Sequence, residues 1–286
     1  MTDRPPARIP TRYAVIGHPV THSQSPFIHA AFAAQTGEPV DYGRIDCGPD
    51  GFEAAVRDFA AQGAGGCNIT VPFKFDAARL ARVCTERARL ASAANILRFD
   101  ADGWLADNTD GSGLLRDIEQ NAGWPLAGRR VLLIGAGGAG AGVLGPLLMA
   151  RPRQLVLVNR TAERARTLVE RHAATAREAG VSLSVAAIED PGQGFDLVVN
   201  ASASSLQAAA VPVPATVLGD GALAIDLMYG PAAQGFLDWA ARHGARGRDG
   251  LGMLVEQAAE AFFVWRGVRP DSAPVLQALR QRLAAK

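Results

Sequence analysis

Lysine is nearly missing from this chain. Of its 286 residues 29 are basic, yet only Lys74 and Lys286 are lysine and every other one is arginine. Arginine stays protonated in a protein, whereas a lysine ammonium can release a proton, so a chain this biased that keeps one interior lysine points to proton transfer at Lys74; simple surface placement is the alternative. Cysteine is equally scarce. Cys47, Cys67 and Cys84 are odd in number and lack C-x-x-C spacing, which fits neither a disulfide framework nor a thiolate metal cage and points to a reducing compartment. Excess charge is absent too: 29 basic residues nearly cancel 28 acidic ones, leaving +1, so bulk electrostatics recommends neither nucleic acid nor an anionic membrane as a partner. No stretch approaches the roughly 18 apolar residues of a membrane helix. The opening MTDRPPARIP places Arg4, Arg8 and three prolines where a secretory signal would have an apolar run, so the expected location is cytoplasmic. The five histidines lack ligand spacing; His18, His22 and His29 share one strand-to-helix turn without a supporting acid, and no metal is expected.

What is present is an ordinary globular composition, 48% hydrophobic and 20% charged, in a length that suits two domains. The apolar run Tyr13 to Gly17 reads as a strand. Ser25-Pro26 then reads as an N-cap with proline at the first helical position, opening a helix that Gly37 ends. Further strands are expected near Tyr42 to Ile45 and over Cys67 to Thr70, with Phe52, Val56 and Phe59 at helical spacing between them. Asp76 to Arg89 reads as one helix, Asn95 to Phe99 and Trp104 to Leu105 as a turn-linked strand pair, and Gly113 to Asn121 as a helix. Beyond Gly123-Trp124-Pro125, strands at Val131 to Ile134, Gln154 to Val158, Leu183 to Ala186, Leu197 to Val199 and Ala222 to Ile225 alternate with helical segments. That alternation argues an α/β class with a doubly wound parallel sheet. Leu251 to Trp265 and Ser272 to Leu283 read as two closing helices that return to the first domain, the two domains facing each other across a cleft.

The strongest local motif is VLLIGAGGAGAG. It places G-x-G-x-x-G at Gly135, Gly137 and Gly140, directly after a strand and at the opening of a helix, where a tight turn lets a pyrophosphate approach the helix N-terminus. The next strand ends in Asn159, Arg160, Thr161 and Arg164, where an acid would hold the ribose hydroxyls of NAD. Arginines there provide planar donors for a 2′-phosphate, so NADP is favoured. In the first half, Ser23 and Ser25 flank Gln24 at a strand end and helix start, offering two hydroxyls and free backbone N–H groups to a carboxylate. Thr70, Lys74, Asn108 and Asp110 also sit at strand ends, where ligands of open α/β sheets bind.

Taken together and in order, HSQSPFIH, NITVPFK, AANIL, DNTDGSGL, IGAGGAG, NRTAER, NAS, DLMYGP and DGLGMLVEQA make the chain resemble the shikimate dehydrogenase family over nearly its whole length. The resemblance implies reversible reduction of 3-dehydroshikimate to shikimate with NADPH, in the chorismate route to aromatic amino acids. It implies a substrate-binding and catalytic domain over 1–110, a Rossmann-type NADP domain over 111–247 and C-terminal helices over 248–286. Carried over by position, Ser23, Ser25 and Tyr229 would hold the substrate carboxylate, and Thr70, Lys74, Asn95, Asp110 and Gln257 would line the ring hydroxyls, with Lys74 and Asp110 as the catalytic pair. Gly135, Ala136, Gly137, Gly138, Ala139, Gly140, Asn159, Arg160, Thr161, Arg164, Asn200, Leu227 and Gly250 would hold the cofactor. The expected partners are small molecules, with the chain a monomer or homodimer. A quinate/shikimate dehydrogenase using NAD, a methylenetetrahydrofolate dehydrogenase and a non-enzymatic NADPH-binding regulator are the competing readings. The arginines after the second strand, the serine pair with the DNTDG loop, and the retention of both Lys74 and Asp110 argue against each in turn.

Overall fold

The computed structural model describes residues 9–205 and 210–285; Arg4, Arg8 and Lys286 lie outside them. The first half builds a six-stranded mixed sheet from β1 (Thr11–Gly17), β2 (Val40–Asp46), β3 (Gly66–Ile69), β4 (Val83–Cys84), β5 (Ile96–Arg98) and β6 (Leu105–Asp107), in the order β2-β1-β3-β5-β6-β4. Its helices are α1 (Ser25–Thr36), α2 (Phe52–Ala61), α3 (Lys74–Leu80) and α4 (Glu86–Ala91). Strand β1 runs parallel to both neighbours, while β5 is antiparallel to β3 and β6. Because alternate strand residues face opposite sides, Ala14 and Ile16 enter a core with Phe52, Val56 and Phe59 of α2. The ring of Tyr13, on the other face, stacks on Trp265 at 4.5 Å.

The second half builds a wholly parallel sheet from β7 (Arg130–Ile134), β8 (Gln154–Val158), β9 (Ser182–Ala186), β10 (Phe195–Asn200), β11 (Leu218–Asp226) and β12 (Arg246–Arg248). Its order, β9-β8-β7-β10-β11-β12, is the doubly wound arrangement whose crevice lies where the order reverses, between β7 and β10. Helices cover both faces, which is why β7 reads as an unbroken apolar run: Val131 and Leu133 pack towards α6 (Gly138–Met149) and α7 (Ala162–Ala179), Leu132 and Ile134 towards α8 (Pro231–Arg242).

A short helix, α5 (Asp110–Arg116), joins the halves and continues as a π-helical turn over Asp117–Asn121. It lies between α6 and α9 (Leu251–Arg266) at close range. A side chain at Gly111 would come within 2.4 Å of Pro146 Cγ and 2.6 Å of the Gly142 carbonyl, and one at Gly113 within 2.6 Å of the Gln257 backbone nitrogen. The final helices, α9 and α10 (Ser272–Ala284), return to α1, where Ile28 and Phe32 meet Val255, Phe262, Val275 and Leu279.

Three local expectations are corrected, and one strand is added. Gln24, not Ser25, caps α1; Ser25 is already in the first helical turn, and the Gln24 side chain makes no capping bond. The single helix expected over Asp76 to Arg89 is two, because the chain turns extended at Ala81 to pair β4 with β6, and Thr85 then caps α4 by accepting from the Ala88 N–H. The helix expected from Gly113 begins at Asp110, capped by Thr109. Strand β12, too short and too polar to announce itself, completes the second sheet.

Candidate active site

Two strand ends of the first sheet and the start of α5 converge on one polar cluster. Lys74 opens α3 just beyond β3, and its Nζ donates to Asp110 Oδ2 at 2.5 Å. The other Asp110 oxygen accepts from Asn95 Nδ2 at 2.9 Å. That amide also donates to Gln257 Oε1 at 3.1 Å and Thr109 Oγ1 at 3.0 Å, while Asn95 Oδ1 accepts the Thr109 backbone N–H at 2.8 Å. Asn108 accepts the Asp110 N–H and donates to the Ala93 carbonyl, so the loop presenting the carboxylate is tied down on both sides. Asn95, Thr109 and Asp110 are buried, while Lys74 keeps a little exposure. Four of the residues singled out in the sequence, Lys74, Asn95, Asp110 and Gln257, thus form one hydrogen-bonded unit. A buried charge held this way has a defined orientation, which acid–base chemistry requires.

The serines form a second group. Ser23 and Ser25 hydroxyls lie 3.2 Å apart at the head of α1, and the Ser25 N–H reaches Ser23 Oγ at 3.3 Å. The groups are connected through residues not singled out in the sequence. Tyr42 faces Ser25 and donates to Asn68 Oδ1 at 2.6 Å, and Asn68 Nδ2 donates to the Asn95 carbonyl at 3.2 Å. Burial drives the Tyr42 hydroxyl well above its ordinary pKa, so it serves this chain as a neutral donor. Tyr229 is half-buried beside the Gln24 backbone, and burial raises its hydroxyl as well. Thr70 packs its methyl group against Gly17 and makes no side-chain hydrogen bond to the cluster.

The glycine loop lies directly against this cluster. A side chain at Gly138 would come within 3.1 Å of Lys74 Cβ, so the lysine stem and the head of α6 are in contact. Within the loop, Gly135 takes φ +110°, and a side chain at Gly140 would collide with the Gly135 carbonyl at 2.0 Å; at Gly137 it would meet open space. That open space over bare backbone at a helix start is the cradle a dinucleotide pyrophosphate needs. Ala136 belongs to the turn, donating its N–H to Asn159 Oδ1 at 3.0 Å, while Ala139 continues α6; Asn159 also donates to the Thr161 carbonyl at 2.8 Å and so holds the two βα turns together. Arg160 and Arg164 are exposed at the head of α7 and, among the described residues, neither pairs with a carboxylate. Asn200 has turned its amide inward, to Asp226 Oδ2 at 2.9 Å and Ser205 Oγ at 3.1 Å. Its carbonyl accepts the Leu227 N–H, and a side chain at Gly250 would strike the Leu227 carbonyl at 2.3 Å, so Asn200, Leu227 and Gly250 form one knot at the ends of β10 and β11. Asp226, its buried centre, has a raised pKa because burial outweighs its hydrogen bonds. Asp226 opens the DLMYGP motif, but its role, like those of Asn68, Tyr42 and Thr109, became visible only through its partners.

A parallel sheet with a reversed strand order, a bare glycine turn, and a lysine–carboxylate pair against that turn define a two-domain, dinucleotide-dependent dehydrogenase. The chain matches sequence models described as shikimate dehydrogenase substrate binding domain over residues 15–97, shikimate / quinate 5-dehydrogenase over 117–209 and shikimate 5′-dehydrogenase C-terminal domain over 250–280. It is 65% identical to a shikimate dehydrogenase (NADP(+)) of Methylibium petroleiphilum, over 98% of this chain and 97% of that one. Among solved structures it resembles an Ael1 enzyme from Pseudomonas putida, at 49% identity and a TM-score of 0.84, over 94% of this chain and 98% of that one. It also resembles the shikimate 5-dehydrogenase of Thermus thermophilus in complex with NADP(H) and shikimate, at 31% identity and a TM-score of 0.81, over 95% and 99% of the two chains. The chain belongs to the shikimate dehydrogenase family.

Proposed function

We infer that this protein catalyses the reversible, NADPH-dependent reduction of 3-dehydroshikimate to shikimate, a step towards chorismate and the aromatic amino acids. The observation that carries the reading is the Lys74–Asp110 pair, at 2.5 Å, lying against Gly138 of the glycine loop, so proton and hydride chemistry fall at one place. NADP supplies the hydride when bound; residues Gly135 to Gly140 would hold its pyrophosphate, and Arg160, Thr161 and Arg164 its 2′-phosphate. In reduction Lys74 donates a proton to the oxygen of the reacting carbonyl carbon, and in oxidation it takes that proton back. Asp110 holds the ammonium in place, and Asn95 with Gln257 fixes Asp110 and lines the ring hydroxyls. Positioned acid–base groups of this kind are worth about 10² to 10⁴ in rate. Ser23, Ser25 and Tyr229 would receive the substrate carboxylate, with Thr70 at the pocket edge.

In this reading residues 1–110 form the substrate domain, 111–247 the NADP domain, and 248–286 the helices that brace the first against the second. All the named residues come from one chain, so the assignment holds for a monomer or a homodimer. Three free thiols support a reducing, cytoplasmic setting. The test is NADPH oxidation followed by absorbance with 3-dehydroshikimate, beside NADH and, in reverse, shikimate beside quinate. Turnover confined to NADPH and the shikimate pair is expected; comparable rates with NADH or quinate, or none with any pair, would overturn it.

A further inference from the structure

The carboxylate subsite as assigned has two hydroxyls and a tyrosine, all neutral, to receive a full negative charge. Removing a carboxylate from water onto neutral donors alone is costly, and such sites commonly carry a guanidinium. One stands beside this one. Arg44, on β2, turns its Nε and Nη2 onto the Ser23 carbonyl oxygen, at 3.1 and 2.5 Å. It is aimed there by strand periodicity: Tyr42 and Arg44 share a face, and Tyr42 stacks on His29 of α1 at 4.2 Å, so the next side chain on that face meets the start of α1.

The charge is also uncommitted. Both of its bonds go to one neutral oxygen, and among the described residues it pairs with no carboxylate. Asp46, two residues further along the same face, is taken by His18 Nδ1 at 2.6 Å. By contrast Arg87, Arg248 and Arg266 are each neutralised by an acid. The field of Arg44 reaches both tyrosines of the region, opposing the effect of burial on the Tyr42 and Tyr229 hydroxyls. It is therefore bonded to the serine turn and lies within electrostatic range of Tyr229.

Resting on the function read above, we infer that Arg44 is the specificity-determining cation of the carboxylate subsite, positioning the Ser23–Ser25 turn by its carbonyl and selecting substrates with a negative charge at that end. It does not touch the reacting carbon, so its loss falls on substrate affinity and not on the chemical step. Three properties then depend on its charge: the KM for shikimate, the sensitivity of kcat/KM to salt, and the preference for the acid over its uncharged ester.

The experiment compares the parent enzyme with Arg44→Gln, which can still donate to the Ser23 carbonyl but has no charge, and with Arg44→Lys, which keeps the charge. Shikimate and its methyl ester are oxidised at saturating NADP. For Arg44→Gln, KM for shikimate is expected to rise about 5- to 30-fold with kcat within about threefold, and KM for the ester to stay within about twofold. The fall in kcat/KM for shikimate between about 20 and 300 mM salt is expected to flatten in Arg44→Gln and to persist in Arg44→Lys. An unchanged KM and salt dependence in Arg44→Gln, or an equal loss on acid and ester, overturns the inference. Parent enzyme that does not oxidise shikimate overturns the functional reading and this inference with it; parent activity with an indifferent Arg44→Gln overturns this inference alone.

Discussion

The substitution His29→Phe is expected to remove an acid liability from the fold. The imidazole is fully buried, stacked on Tyr42 at 4.2 Å and edge-on to Phe32 at 6.0 Å, and neither ring nitrogen finds a hydrogen-bond partner among the described residues. Burial lowers its pKa from 6.5 to about 3, with nearby Asn68 opposing the shift only in part. Below pH 6.5 the unfolded chain takes up a proton that the folded chain refuses until about pH 3, so the unfolded state binds more protons and stability declines as the pH is lowered across that window. Each unit of pH there is worth about 1.4 kcal/mol, and integrating from pH 7 to pH 5 gives about 2 kcal/mol for this one ring. Phenylalanine keeps the aromatic packing and cannot titrate. His172, whose pKa burial also lowers, contributes the same slope to both proteins and cancels in their difference. The carboxylate of Asp107, held low by Arg87 against its own burial, stabilises the fold above the ordinary carboxylate range and loses that contribution only as pH falls below it, outside this window. Urea unfolding of parent and variant at pH 7 and pH 5 measures the effect. The variant is expected to lose about 2 kcal/mol less than the parent over that interval. Equal losses would refute the reasoning, because they would mean that the folded protein admits the proton at His29.

The variant Lys74→Arg preserves the charge beside Asp110 but not the transferable proton, so turnover is expected to fall about 10²- to 10⁴-fold with a much smaller change in KM for shikimate; near-normal turnover would end the proton-transfer role. Reversing the two free arginines at the head of α7, as Arg160→Glu with Arg164→Glu, is expected to raise KM for NADPH by at least about tenfold while leaving that for NADH unchanged or lower. An equal loss on both cofactors would place the arginines outside the 2′-phosphate site.

Much of this fold was legible because the apolar patterns were long and one-sided. The strand Gln154–Val158 needs nothing but its own run of Leu and Val between a helix end and a polar turn. The helix expected over Asp76 to Arg89 misled for the opposite reason: its Ala, Arg and Leu content favours helix throughout, and only the pairing of Val83 and Cys84 with Leu105 and Ala106 interrupts it. Tertiary pairing overrode a local preference that the sequence states honestly. For the site, residues whose chemistry is unusual in context were visible: one interior lysine, two serines at a helix start, a glycine turn. Those that work by holding others were not. Asp226 reads as any acid ending a strand, and Asn68 as any polar residue in NITVP, until Asn200 and Tyr42 are seen to lean on them. Arg44, one arginine among many, carries meaning only through the single carbonyl it grips.

The bare glycines of α5 bear on how the cleft can move. Asp110 opens a helix pressed at Gly111 against Pro146 and the Gly142 carbonyl of α6 and at Gly113 against the Gln257 and Met253 backbone of α9, with no side chain of its own at either contact to slide or yield. An opening motion that kept these contacts would have to turn about that helix as about an axle. The carboxylate would ride on the axle, the glycine loop, one turn upstream of Gly142 on α6, would swing on a short radius, and the outer strands of the nucleotide sheet would sweep the widest arc. A motion of that kind would leave the acid at its centre aimed as it is.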